Sequence, residues 1–234
     1  NKRSISVDLK SEEGLKFAKE LVCASDVLIE NFGAGVLDRL GLGYDVMQKI
    51  NPNLVYCALK GFLSGPYEKR AALDEVVQMM GGLAYMTGPE GNPMRAGASV
   101  NDVMGGLFGV IAIQAALWER QQTGKGTFVR SGLFESNMFL VAQHMVQYRQ
   151  TGIAAAPMPE RVSAWAVYDV FATADGKKIF VGVVSDKQWV LFCNAFDLEY
   201  LLEDAELQSN AQRVTSRDTF MPILKEMFQK LDLT

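Results

Sequence analysis

The chain has 234 residues, 49% of them hydrophobic, with 23 Lys and Arg against 27 Asp and Glu and a formal net charge of −4. That balance lacks the basic stripe of a nucleic-acid binder, although an acidic average still allows a local cationic site for an anionic ligand. The length suits one large domain, or one domain plus part of another.

In chain order, "SISVDL" (4–9) alternates and is β-branched, which predicts a strand. Ser11, followed by Glu12 and Glu13, predicts a capped helix over 11–22. "DVLIE" (26–30) and "LVYCAL" (54–59) read as strands, with short helices at 34–41 and 44–50 between them. This βαβαβ order predicts parallel strands with right-handed crossovers. Ligands in such sheets bind beyond the carboxyl ends of the strands. Those ends are Leu9-Lys10, "NFGAG" (31–35) and "KGFLSG" (60–65), which together form a lysine- and glycine-bearing rim suited to an anion.

A helical segment at 72–86 leads into a Gly/Pro-rich loop at 87–99 and a long helix over 103–122 that stops at "TGKG". Its apolar run, Val103–Trp118, is short for a membrane span and contains Gly105, Gly106, Gly109 and Gln114. A further helix covers 133–151. Two strands then flank an Asp175-Gly176 turn within 166–184, and amphipathic segments lie near 186–197 and 214–231. The expected architecture is α/β. A Rossmann-like parallel-sheet large domain (1–150) is followed by a small-residue, proline-bearing linker (151–165) and a smaller α+β domain (166–234).

Several familiar motifs fail. "TGKGT" has Glu119 where a phosphate loop needs its first glycine, and "GLGYDV" lacks the third glycine of a dinucleotide fingerprint. The single histidine, His144, has no partner for a zinc site, and no G-x-S-x-G elbow accompanies it. Cys23, Cys57 and Cys193 have neither metal-ligand nor disulfide spacing, so they read as reduced core or strand residues of a cytoplasmic protein. The first residues show no signal-peptide pattern. No metal is expected, and the remaining chemistry rests on carboxylates.

Asp102 precedes the long helix and the Gly105-Gly106 pair. Read locally, it is an N-cap, worth about 0.5–2 kcal/mol against alanine. The glycines would let another helix approach closely. The wider order of segments adds a second reading. "NKRSISVDLKSEEG", "SDVLIENFGAG", "LDRLGLGYDVMQKINPNLVYCALKGF", "GPYEKRAALDEVVQMMGGL", a P-x-R-x-G stretch ahead of Asp102, and "AALWERQQTGKGTFV" occur in one order. The chain resembles the family III CoA-transferases, the formyl-CoA transferase and CaiB/BaiF-like group, from Asn1 through "QSNAQRVTSRD".

The resemblance implies a fragment that lacks N-terminal and C-terminal parts of a typical member. It implies coenzyme A, carried as acyl-CoA, and a carboxylic acid as substrates. It makes Asp102 the nucleophile, acting through an aspartyl anhydride and an aspartyl-CoA thioester, and the helix N-terminus would favour its ionised form. It places Leu9, Lys10, Asn31, Phe32, Gly33 and Arg39 at the CoA site, and Arg70 and Asp74 in the active-site lining. Taken locally, Asp74 would cap its own helix, and Lys10, Arg39, Lys60 and Arg70 would be solvated charges. The resemblance also implies an interlocked homodimer. The hairpin that opens the second module is too small to bury a core alone, which agrees with a threaded partner.

Two departures stand out: Ala34 replaces a proline common in the loop, and "APMPERVSAW" (156–165) replaces a glycine-rich or "GNRH"-like segment. Acceptor identity is therefore open, with Arg161 available to pair with a carboxylate. The alternatives are an acyl-CoA racemase of the same superfamily, which would need a histidine beside the aspartate, and a catalytically inactive CoA-binding subunit.

Overall fold

A computed structural model describes residues 1–161 and 163–233. The chain divides after Arg161 into two compact units.

In the first unit, α1 (Glu12–Cys23) starts where Ser11 accepts the N–H of Gly14. Then come β1 (Val27–Glu30), α2 (Val36–Arg39), α3 (Tyr44–Ile50) and β2 (Val55–Lys60). Next are α4 (Asp74–Met80), α5 (Leu83–Thr87), α6 (Val100–Thr123), β3 (Phe128–Gly132) and α7 (Leu133–Thr151). The three strands form one sheet in the order β1-β2-β3, parallel throughout, with Glu30 opposite Ala58 and Lys60 opposite Gly132. One core lies between this sheet and α1–α3, built on Met47, Leu54 and Tyr56, and half-buried Leu9 packs against it.

Residues 4–9 do not form the expected strand. Ile5 is 62% exposed, and no described strand pairs with the segment. Alternation prepares a sheet face, but a strand needs a neighbour to complete its hydrogen bonds. Asp8 instead makes a turn into α1: its carbonyl accepts from Ser11 and its carboxylate from the Lys10 N–H. The helix expected over 72–86 is broken between α4 and α5 at Gly81-Gly82, where Gly82 adopts φ +81°. Cys23 is at the surface, while Cys57 and Cys193 are buried.

α6 is long and apolar enough, by length and composition, to cross a membrane. Here it is the crossover between β2 and β3, lying on the sheet through its glycines. A Cβ at Gly109 would come within 2.8 Å of Leu59 Cδ2, and one at Gly105 within 2.9 Å of Leu133 Cδ2. The glycines thus admit the strand layer and the start of α7. Ser131 Oγ fastens the contact by donating to the Gly105 carbonyl at 2.8 Å. Because α6 runs back across the sheet to feed β3, its N-terminus lies at the carboxyl ends of the strands.

The second unit holds an antiparallel pair, β4 (Val167–Ala172) and β5 (Lys178–Val183), turned at Gly176 with φ +74°. It is completed by α8 (Asp186–Ala195), α9 (Asn210–Thr215) and α10 (Arg217–Phe228). The helices give the hairpin a core of its own, including Phe171, Trp189, Leu207, Phe220 and Leu224. The weakness expected of a bare hairpin is thereby removed.

Candidate active site

A cleft of about 470 Å³ opens at the carboxyl end of the sheet. Asn31, Leu59, Lys60 and Gly61 supply the strand-end wall, Ala72–Asp74 another, and Asp102, Gly105 and Gly106 the α6 wall. Ser131 and Leu133 complete the lining. The parallel topology puts the residues after each strand at one edge, and the crossover helix brings its first turn to the same edge.

Asp102 lies in the first turn of α6 and is not its cap. Ser99 occupies the cap position without a side-chain cap bond. The acceptor comes from α4: Asp74 Oδ1 accepts the N–H of Asn101 at 2.7 Å and that of Asp102 at 3.3 Å. Asp74 is 7% exposed, and its other oxygen accepts from Gln78 Nε2 at 2.6 Å. The expectation that Asp74 caps its own helix is corrected, since Leu73 holds that position.

The Asp102 carboxyl is pushed above its ordinary value. Partial burial is the larger cause, the Asp74 charge adds to it, and Arg95 opposes it. Desolvation and the neighbouring carboxylate therefore act against the ionised form that a helix N-terminus favours.

The other predicted residues divide. Asn31 enters the cleft with Asp74 and Asp102, whereas Gly33 lines an adjoining hollow of about 310 Å³. Phe32 joins them through its backbone: its N–H donates to Glu30 Oε2 at 2.9 Å and its carbonyl accepts from Lys60 Nζ at 2.7 Å. The rim is more acidic than its sequence suggested, because Glu30, Asp38, Asp45 and Glu68 all line the hollow beside Lys60 and Arg130. Lys10 and Arg39 are exposed, line neither cavity, and have no ion pair among the described residues. Arg70 is turned to the surface, with its guanidinium 4.5 Å from the Tyr67 ring centroid.

Sequence reasoning missed Arg95, Gln78 and Asn101. Arg95 Nη2 is 3.6 Å from Asp74 Oδ2, and its Nη1 is 3.6 Å from Glu75. Gln78 stands one helical turn after Asp74, a spacing at which side chains meet, so this partner was legible.

The chain matches CoA-transferase family III along residues 1–234. It belongs to that family. Succinyl-CoA:glutarate CoA-transferase of Mus musculus is 34% identical over 97% of this chain and 52% of its own length. Acetyl-CoA:oxalate CoA-transferase of Acetobacter aceti is 34% identical over 98% of this chain and 59% of its own. Among solved structures, a CaiB/BaiF family protein from Brucella suis superposes with a TM-score of 0.84 at 34% identity, covering 98% of this chain and 61% of that one. The chain therefore spans about half the length of the curated relatives it matches.

Within this family III chain, His144 lines an apolar groove with Gly81, Tyr85 and Met145, separate from the residues around Asp102. That placement gives no support to a racemase pair. Among the described residues, no group of three or more His, Cys, Asp or Glu is placed to hold a metal ion.

Proposed function

We propose that the protein moves CoA from an acyl-CoA donor to a carboxylic acid, with Asp102 as nucleophile. The observation that carries this reading is the position of Asp102: a carboxylate on the first turn of the crossover helix, at the strand-end cleft, in a family III chain. A carboxylate is a weak nucleophile, but a thioester carbonyl held against it is activated.

The chemistry runs through four acyl transfers. An Asp102 oxygen attacks the donor carbonyl, the C–S bond breaks, and CoA leaves as thiolate from a mixed anhydride. The thiolate then attacks the Asp102 carbonyl carbon, releasing the donor acid and leaving an aspartyl-CoA thioester. The acceptor carboxylate attacks that thioester, giving a second anhydride and free thiolate. Attack of the thiolate on the acceptor carbonyl forms the new acyl-CoA and restores Asp102.

Leu9, Lys10, Asn31, Phe32, Gly33 and Arg39 are assigned to CoA. Support differs among them. Asn31, Phe32 and Gly33 form the loop at the cleft edge, and Lys10 and Arg39 present exposed cations with no ion pair among the described residues. Leu9, next to Lys10 in the chain, packs against the core between the sheet and α1–α3. Asp74 belongs to the site through Asp102, while Arg70 stands outside the cleft lining.

The protein is further proposed to act as a homodimer. One stripe of α6, comprising Val103, Leu107, Val110, Ile111 and Trp118, is exposed, and it lies opposite the face that Gly105 and Gly109 press onto the sheet.

The test incubates intact protein with an acyl-CoA and hydroxylamine. Hydroxamate formation with release of CoA is expected in the wild type and lost in Asp102→Ala. Undiminished turnover in Asp102→Ala would remove the nucleophile assignment.

A further inference from the structure

We propose that Asp74 is a positioning residue: its carboxylate, supplied by α4, is the cap that α6 lacks locally, and it fixes the backbone from which Asp102 reaches the cleft. The proposal rests on the reading of Asp102 as nucleophile. The start of a helix leaves N–H groups without intrahelical partners. In α6, Val100 N–H donates to the Ala98 carbonyl, and the next two N–H groups, of Asn101 and Asp102, both converge on Asp74 Oδ1. One of the two is the nucleophile's own N–H.

The capping carboxylate is itself held. Gln78 is fully buried, donates to Asp74 Oδ2 and accepts the Ala96 N–H at 2.7 Å. Gln78 thus ties Asp74 to the loop that delivers α6, and Arg95 from that loop approaches the same oxygen. The arrangement is a closed circuit from α4 through the 95–98 segment to the first turn of α6. It holds Asp74 with one oxygen toward the helix and the other toward Gln78 and Arg95.

The same geometry has an electrical consequence. Asp74 and Glu75 of α4, Arg95 ahead of α6 and Lys60 at the end of β2 are the charged groups around this end of the cleft. β3 and α7 contribute uncharged Ser131 and Leu133. Lys60 is neutralised by Glu30, and Arg95 is shared between Asp74 and Glu75. The charge of Asp74 therefore bears directly on Asp102, raising the pH at which it ionises.

Asp74→Ala and Asp74→Asn in the intact protein separate the two effects. Three measurements apply: amide hydrogen exchange at Asn101 and Asp102, carbon-13 titration of the Asp102 carboxyl, and steady-state kinetics. Asp74→Ala should speed exchange at both amides and lower kcat by about tenfold or more, with KM for acyl-CoA changed by no more than about twofold. Asp74→Asn keeps a capping oxygen, so it should retain the exchange protection and most of kcat. In both variants the Asp102 midpoint, and with it the acid limb of the rate, should move to lower pH. Unchanged exchange and kcat in Asp74→Ala, or an unmoved Asp102 midpoint, would overturn the proposal. If Asp74→Ala does not fold, the exchange and titration of Asp74→Asn decide it. A wild type that yields no hydroxamate would overturn the nucleophile reading instead, and the exchange and titration arms would still decide whether Asp74 holds and tunes Asp102.

Discussion

Lys60 Nζ lies 2.6 Å from Glu30 Oε1 and 2.8 Å from Glu30 Oε2, joining the ends of two adjacent parallel strands. With its bond to the Phe32 carbonyl, the lysine's hydrogen-bonding capacity is committed inside the protein. It therefore acts as a latch on the 31–33 loop rather than as a free phosphate contact.

The first prediction concerns that latch. Glu30→Ala removes two acceptors from Lys60 and one from the Phe32 N–H. Lys60 is partly exposed and can rehydrate, so the loss should be about 1–3 kcal/mol rather than the larger cost of a stranded buried charge. Urea unfolding measures the loss, and exchange at the Phe32 amide should rise with it. Wild-type stability together with unchanged Phe32 exchange would refute the latch.

Lys10 and Arg39 have the opposite character. Both are exposed and carry no ion pair among the described residues. Charge-assisted contacts are worth about 1.5–3 kcal/mol, so Arg39→Ala should weaken CoA binding roughly tenfold or more. Lys10→Ala should act in the same direction, and both effects should shrink as salt is raised. Calorimetry giving wild-type affinity for both variants would remove these two residues from the CoA site.

The α6 glycines give a prediction with opposite signs. A Cβ at Gly106 meets nothing within 4 Å, whereas one at Gly109 meets Leu59 at 2.8 Å. Replacing a helical glycine by alanine is favourable by up to about 1 kcal/mol where space allows. Gly106→Ala should therefore stabilise the protein, yet narrow the cleft that Gly106 lines and lower turnover. Gly109→Ala adds a strain of about 1–3 kcal/mol against the sheet, which outweighs the helix gain. Thermal unfolding should order the proteins Gly106→Ala, wild type, Gly109→Ala. Any other order would contradict the packing of α6 on β2.

Much of this was legible in the sequence because local signals and packing agree. Ser11 caps α1, the Asp175-Gly176 turn joins β4 to β5, and Asp102 stands at the start of the long helix. The failures lie where a partner distant in sequence decides. Residues 4–9 carry a strand pattern but have no described strand beside them. β3 is five residues with Arg130 and Ser131 inside it, and it becomes a strand only by pairing with β2. The cap of α6 comes from a residue 28 positions before Asp102, a separation that no local motif encodes. Family resemblance identified Asp102 and Asp74 separately, but the bond between them is a property of the fold.

The last prediction concerns assembly. Val103, Leu107, Ile111 and Trp118 are 59%, 53%, 59% and 69% exposed, and their spacing of four, four and seven keeps them on one face of α6. α7 adds Phe139, Met145, Val146 and Tyr148, all exposed. An exposed apolar stripe of this length along α6 is uncommon on a lone soluble domain and marks a covered face. A homodimer that buries at least the standard contact of about 1,600 Å² in total through this face should not be separated by dilution alone. Mass photometry of the intact protein at nanomolar concentration should show dimers. Leu107→Glu with Ile111→Glu places like charges in the face and should yield smaller or aggregated species. A folded wild-type monomer that retains activity at nanomolar concentration would refute the dimer, leaving the chemistry at Asp102 to be judged by its own test.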